Sequence, residues 1–143
     1  MKNIVLVTLA IIPAFAHSQK SPIKFGDIPM EDMKMTVYNA DSSATAVILA
    51  DYGNAYVNIS AVSANLMFER HVRIKILKKD GTRWADASLP VYNSGGTEER
   101  LTNLKAVTYN LIDGKIMESK MAKDAVFKEK FNRNINLQKF YST

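Results

Sequence analysis

The sequence contains no cysteine. That excludes a thiol nucleophile, a thiolate zinc site and any disulfide staple. Histidine is nearly as scarce, with only His17 and His71. One imidazole in the folded part gives no nitrogen-rich metal site, which needs several converging ligands. Tryptophan occurs once, at Trp84. Excess charge is also small. The formal net charge is +5, scattered along the chain, which is too little to specify nucleic acid. Signature loops are missing as well. There is no Gly-x-Ser-x-Gly elbow and no Asp-x-Asp-x-Asp-Gly calcium loop, and Gly95-Gly96 is not followed by Gly-Lys-Ser/Thr. Glu98 and Glu99 are adjacent, so their side chains diverge rather than face each other across a cleft. The expectation is no cofactor, no metal and no catalytic residue.

What is present begins with a leader. Met1-Lys2-Asn3 is a short positive start, and Ile4 to Phe15 is apolar apart from Thr8. Ala14-Phe15-Ala16 then forms an A-x-A cleavage site before polar His17-Ser18-Gln19-Lys20. These are the three parts of a secretory signal peptide over residues 1–16. The apolar run is shorter than the roughly 20 residues of a membrane span, so no transmembrane segment is expected after cleavage. The expected location is periplasmic or extracellular. Residues 17–43 read as an extended, turn-rich lead-in with a single helical turn possible at Glu31 to Met35.

Residues 44–143 read as one all-β domain, an antiparallel β-sandwich built of hairpins. Hydrophobic content of 47% and charged content of 23% suit a globular domain of this size. The main hairpin is expected over Leu66 to Val91, turning at Asp80-Gly81 and pairing Ile76 with Ala85, Ile74 with Ala87 and Val72 with Leu89. Val72, Ile74 and Ile76 then face inward, and the charged residues between them face water. A second hairpin is expected at Gly53-Asn54 and a third at Asp113-Gly114, where Leu111 meets Ile116 and Tyr109 meets Glu118. Asn93 to Gly96 reads as a flexible loop. The i, i+4 pairs Ala122/Val126 and Phe127/Phe131 predict one short helix over residues 123–131. Ile135 to Tyr141 alternates again as a strand. It meets the end of the sequence without a cap or polar tail, so the sheet reads as incomplete, with an open edge.

Three residues are candidates for a binding or reactive site. His71 lies on the polar face between Glu69 and Arg73, and Glu69 is placed to orient its imidazole as a base. The plainer reading is a surface histidine in a charged ladder. Trp84 suits stacking on a sugar, or a plug between two sheets.

The residues also resemble a family. Pro29-x-x-Asp32-Met33-x-Met35, Asp41-Ser42-Ser43-Ala44-x-Ala46-Val47 and Phe68-Glu69-Arg70-His71-Val72-Arg73-Ile74-Lys75-Ile76-Leu77 are similar to the domain of unknown function 3857 family. So are Glu98-Glu99, Leu104 to Leu111 and Gly114-Lys115. The resemblance covers almost all of the chain after the leader. It implies a β-sandwich at the N-terminal end of exported bacterial proteins, ahead of a transglutaminase-like domain with a Cys-His-Asp triad. This chain ends where the family's sheet continues and has no second domain, so none of those catalytic residues has a counterpart here.

The function expected is therefore an exported, non-catalytic β-sandwich module that binds or scaffolds. Its partner would be a protein, or a missing C-terminal domain, held through the open sheet edge. The alternatives are a hydrolase or transferase using His71 with Glu69, and a glycan-binding module centred on Trp84.

Overall fold

The computed structural model describes residues 21–122 and 124–141. The expected leader, residues 1–16, and His17 lie outside the described residues. Within them the chain is mainly β, with eight strands in antiparallel pairs and one short α-helix, α1 (Met30–Lys34). The strands are β1 (Ala46–Ile59), β2 (Ala64–Ile76), β3 (Ala87–Ser94), β4 (Thr97–Glu98), β5 (Val107–Ile112), β6 (Lys115–Lys120), β7 (Val126–Lys130) and β8 (Ile135–Phe140). A 3₁₀ helix, Lys79–Ala85, links β2 to β3. The strands form three sheets: the ribbon β1-β2, the sheet β4-β3-β8-β7, and the hairpin β5-β6.

The all-β expectation holds, but two of the three expected hairpins do not. β1 runs straight through Gly53-Asn54 and pairs with β2 along its whole length, from Ala46↔Ile76 to Ile59↔Ala64. The turn falls at residues 60–63 instead. There the Ser60 N–H donates to the Ser63 carbonyl at 2.8 Å, and the Ser63 N–H donates to Ser60 Oγ at 3.1 Å. Gly53 is therefore a strand residue. The Phe68 ring lies across it, 3.3 Å from where a Cβ would stand, as an aromatic can cover a strand glycine.

The Asp80-Gly81 turn is also overturned. Both residues lie in the 3₁₀ helix, and Ala85, Ala87 and Leu89 do not pair with β2. The reason is local. Gly81 is buried beneath the backbone of Thr45, and a Cβ there would sit 2.7 Å from the Thr45 carbonyl carbon. The Leu77 and Lys78 N–H groups both donate to the Thr45 carbonyl, at 2.9 and 3.0 Å. Glycine is used here for close backbone approach and not for a positive φ. The Lys78 ammonium tightens the same corner by donating to the Ser42 and Ser43 carbonyls at 3.1 and 3.0 Å.

Where φ is positive, the turns are tight. Gly95 and Gly96, at φ 61 and 85°, close β3 onto β4 with Ser94 opposite Thr97. The stretch expected as a flexible loop is thus a two-residue hairpin turn. Asp113 and Gly114, at φ 50 and 75°, close β5 onto β6 in the expected register, Leu111↔Ile116 and Tyr109↔Glu118.

The short helix expected over 123–131 is corrected to β7. Val126–Lys130 pairs with β8, Val126 opposite Phe140 and Lys128 opposite Gln138. A spacing of four is even, so it places two residues on one side of a strand as well as on one face of a helix. Asn132 then shapes the β7–β8 turn, its Oδ1 accepting from the Asn134 and Ile135 N–H groups at 2.8 and 2.9 Å. Pro90 is tolerated in β3 because β4 pairs only with Asn93 and Ser94, so Pro90 has a partner, Leu137, on one side alone.

The packing centre lies on the four-stranded sheet. Val91, 7% exposed, is the fully buried hydrophobic residue among those described, and every residue of the central strand β8 is half-buried. The ribbon contributes to no comparable interior.

Candidate functional site

β1 and β2 have 14 and 13 residues and make a long two-stranded ribbon with two contrasting faces. Directly opposed residues share a face. One face carries Met67, Glu69, His71, Arg73 and Lys75 on β2, with Tyr56, Asn54 and Tyr52 on β1. The other carries Leu66, Phe68, Arg70, Val72, Ile74 and Ile76, with Ile48, Asp51, Gly53, Ala55, Val57 and Ile59. The register shift between Ile48 and Ala50 marks a bulge at Leu49.

The polar face is covered at its 71–75 end, while Glu69 and Tyr56 nearer the tip stay exposed. Residues 24–34 lie across it as a strap. Lys24 to Asp27 form a turn in which the Asp27 N–H donates to the Lys24 carbonyl at 3.3 Å and Gly26 takes φ 82°. The positive φ at the third position requires glycine or asparagine. This turn aims two carbonyls at Arg73, whose Nη2 donates to Asp27 O at 2.5 Å and Lys24 O at 3.4 Å. Its Nη1 meets the Asp32 carboxylate at 3.3 Å, with the two side chains only 12% and 20% exposed. Lys75 Nζ donates to the Met33 carbonyl at 2.8 Å. The turn also brings the Phe25 ring to His71, centroid to centroid 5.6 Å and tilted by 45°. α1 sits beside β5, and Gly26 beside the Tyr109 hydroxyl, so the strap joins ribbon to hairpin.

Of the sequence candidates, Glu69 and His71 lie on this face but are engaged separately. Glu69 Oε1 accepts from the Tyr56 hydroxyl at 2.9 Å, and that bond raises the phenol's pKa. His71 is half-buried against Phe25 and opposite Tyr52. Burial, then the Arg73 charge, holds its pKa below the usual histidine value. Among the described residues, no hydrogen bond joins Glu69 to His71. Trp84 lies on the 3₁₀ helix, 49% exposed. At that exposure it is not a plug between two sheets. No group of three or more His, Asp or Glu among the described residues is placed to hold a metal ion. An open groove lined by Glu98, Arg100, Leu101, Thr102, Val126 and Gln138 gathers none of the three candidates. Glu98 there is ion-paired to Lys128 at 2.8 Å, and Glu99 accepts from the Tyr92 N–H at 2.8 Å.

The apolar face is the open one. Ile59, Leu66 and Phe68 are 76%, 77% and 69% exposed, and Ile48, Val57 and Val72 are exposed with them. Ile74 and Ile76 are half-buried. The expectation that Val72 faces inward is thus corrected. The sequence shows two faces, but the strap decides which is closed. The charges on the open face are Asp51 and Arg70, joined by two bonds, Nε to Oδ1 at 2.8 Å and Nη2 to Oδ2 at 2.6 Å. The guanidinium holds the Asp51 carboxyl below the usual carboxylate range.

Arg73 and Lys75 are the residues that sequence reasoning missed, because alternation labels them solvent-facing. The available signal was Gly26 between Lys24 and Asp27, a turn able to turn its carbonyls toward a cation. No family model, no curated protein and no solved structure matches this chain. Among the described residues, no helix is long and apolar enough to cross a membrane.

Proposed function

We propose that this chain is an exported, non-catalytic β module that binds a protein partner through the open face of the β1-β2 ribbon. The observation that carries this reading is the inversion of the ribbon. Its charged side is closed by the strap around Arg73 and Lys75, while Val57, Ile59, Leu66 and Phe68 stand in water on the other side. A contiguous apolar patch of this kind marks an interaction surface rather than ordinary scatter. A two-stranded ribbon is also marginal by itself and gains stability when a face is covered. Export is supported by the charged start, apolar run and Ala14-Phe15-Ala16 site, with a periplasmic or extracellular destination. The resemblance to the domain of unknown function 3857 family supports a scaffolding role of the sort played beside a transglutaminase-like domain. In this reading His71 packs under the strap against Phe25, while Glu69 stays exposed nearer the tip, bonded to Tyr56.

The test uses an environment-sensitive apolar dye on the full chain at submicromolar concentration. Its fluorescence should rise on binding and should fall several-fold with Leu66→Asp or Phe68→Asp. A dye signal absent from the parent chain, or unaffected by both substitutions, refutes the open face as the binding surface. Fractionation of a bacterial host should place the processed chain outside the cytoplasm. Retention of the unprocessed chain inside refutes export.

A further inference from the structure

We infer that the occupant of the open ribbon face is a second copy of this chain, packed face to face about a two-fold axis. The inference rests on the binding face argued above and names its partner. Three observations carry it.

The first is area. Ile48, Val57, Ile59, Leu66, Phe68 and Val72 are all exposed on one side of one ribbon. At their fractional exposures they present about 700 Å², close to the roughly 800 Å² per partner of a standard stable interface. Two copies burying all of this area would reach the lower part of the standard interface range.

The second is charge. The chain is weakly cationic, at +5 with Lys2 of the expected leader included, so two copies repel one another modestly. The open face is the exception. Asp51 and Arg70 neutralise each other through a bidentate pair at 2.8 and 2.6 Å. Apposing two such faces brings no unpaired like charge together, and each carboxylate and guanidinium keeps its partner as water leaves. A strongly acidic or basic partner would find no complementary net charge there.

The third is shape. The face is a twisted antiparallel ribbon 14 residues long on one strand and 13 on the other. Large side chains lie toward the tip, at Val57/Leu66 and Ile59, and small ones at Gly53 and Ala55. The surface that best fits a twisted apolar β-layer is another of the same twist, about 10 Å away with strands roughly aligned. An identical ribbon has that twist by construction, and a two-fold axis makes the contact self-complementary and closed. The pair of ribbons is then a four-stranded sandwich, which supplies the interior that each ribbon lacks alone.

The experiment is sedimentation equilibrium of the full chain over a wide concentration range, read together with the apolar dye. The parent chain should dimerise and release the dye as concentration rises. Leu66→Asp and Ile59→Asp should each weaken dimerisation at least tenfold while leaving the far-ultraviolet circular dichroism unchanged, because both residues are exposed in the single chain. Met117→Asp, which adds the same charge on β6, should leave dimerisation unchanged. A chain that stays monomeric while still binding dye overturns the second copy as occupant and leaves the open face standing for another protein. A chain that is monomeric and never binds dye overturns both. A dimer indifferent to Leu66→Asp and Ile59→Asp also overturns the inference, since it forms elsewhere.

Discussion

Replacing Gly81 by alanine measures how firmly the 3₁₀ helix is seated on the start of β1. The added methyl would stand 2.7 Å from the Thr45 carbonyl carbon, with the carbonyl oxygen nearer still. Ordinary carbon contacts lie near 3.5 Å or more, so one backbone segment must move by about 0.8 Å. Both candidates for movement are backbone, and the Thr45 carbonyl already accepts from Leu77 and Lys78 at 2.9 and 3.0 Å. A shift of that size stretches both bonds beyond useful length. Overpacking costs about 1–3 kcal/mol, and two weakened hydrogen bonds cost about 0.5–1.5 kcal/mol each. A loss of about 2–6 kcal/mol is therefore expected, a large part of a typical 5–15 kcal/mol total. Two other glycines serve as internal controls. Gly95 faces open space at φ 61°, so Gly95→Ala costs only the left-handed backbone strain, about 1 kcal/mol. Gly53 has a strand conformation, and its neighbour at 3.3 Å is the edge of the Phe68 ring, which can tilt away. Gly53→Ala should therefore be close to neutral, the strand preference for alanine over glycine offsetting the adjustment. The assay is urea unfolding of all four proteins at one concentration, followed by the fluorescence of Trp84, three residues beyond Gly81 in the same 3₁₀ helix. The order of loss should be Gly81, then Gly95, then Gly53. If Gly81→Ala costs no more than Gly95→Ala, residue 81 is an ordinary turn glycine and the packing of the 3₁₀ helix on Thr45 is refuted.

Arg73→Lys keeps the charge but loses the planar fork that reaches Asp32 and the Lys24 and Asp27 carbonyls at once. A loss of about 1–2 kcal/mol is expected, together with faster tryptic cleavage after Lys24 and Lys34 as the strap lifts. The His71 pKa is depressed by burial and by Arg73, so its folded form binds protons less readily than the unfolded chain. Its contribution is thus fully present above the unfolded value near 6.5 and is lost as pH falls through the lower folded value. The urea midpoint should drop across that window, and His71→Phe should flatten the drop. Tyr56 shifts the other way, because its hydroxyl donates to Glu69. The stability it contributes should be present below pH 10 and lost as pH rises through its raised value, and Tyr56→Phe should remove that alkaline limb of the unfolding curve.

Strand content was legible because alternation is a local property. β2, β5, β6 and β8 appear where alternating or apolar runs predict them, and the Asp113-Gly114 turn has the expected register. Turn position was less legible, because one residue type serves several ends. Asp-Gly closes a hairpin at residue 113, yet at residue 80 the same pair enters a 3₁₀ helix whose glycine is needed by Thr45, a contact across 36 residues of sequence. No local signal carries that requirement. The β7 segment was misread for a different reason: Phe127 and Phe131 satisfy both periods at once. Only the pairing with β8 and the Glu129–Lys139 bond at 2.6 Å separate the two. At the site, Glu69, His71 and Trp84 were selected by chemical type, while the residues that organise the face are Arg73 and Lys75, whose partners are backbone carbonyls of the strap. A carbonyl leaves no mark in a sequence.

Periodicity defines two sides of a strand but assigns neither to the interior. The usual assignment assumes that oil goes in, because burying apolar surface is the larger gain. In this ribbon, carbonyls from residues 24, 27 and 33 satisfy two cations that alternation would send to water. Leu66 and Phe68, on the opposite side, stay exposed. Covering them takes a contact outside the described residues, which is the interface proposed above. This gives a sharp consequence for the strap itself. If Arg73→Ala frees the polar face, the chain should lose dimerisation along with strap protection only if the strap holds the ribbon in its dimer-competent twist. Dimerisation kept at parent strength, with the strap demonstrably released in tryptic digestion, would mean that the ribbon presents its open face without help from residues 24–34. The two faces would then be independent, and the strap would not set the geometry of the open side.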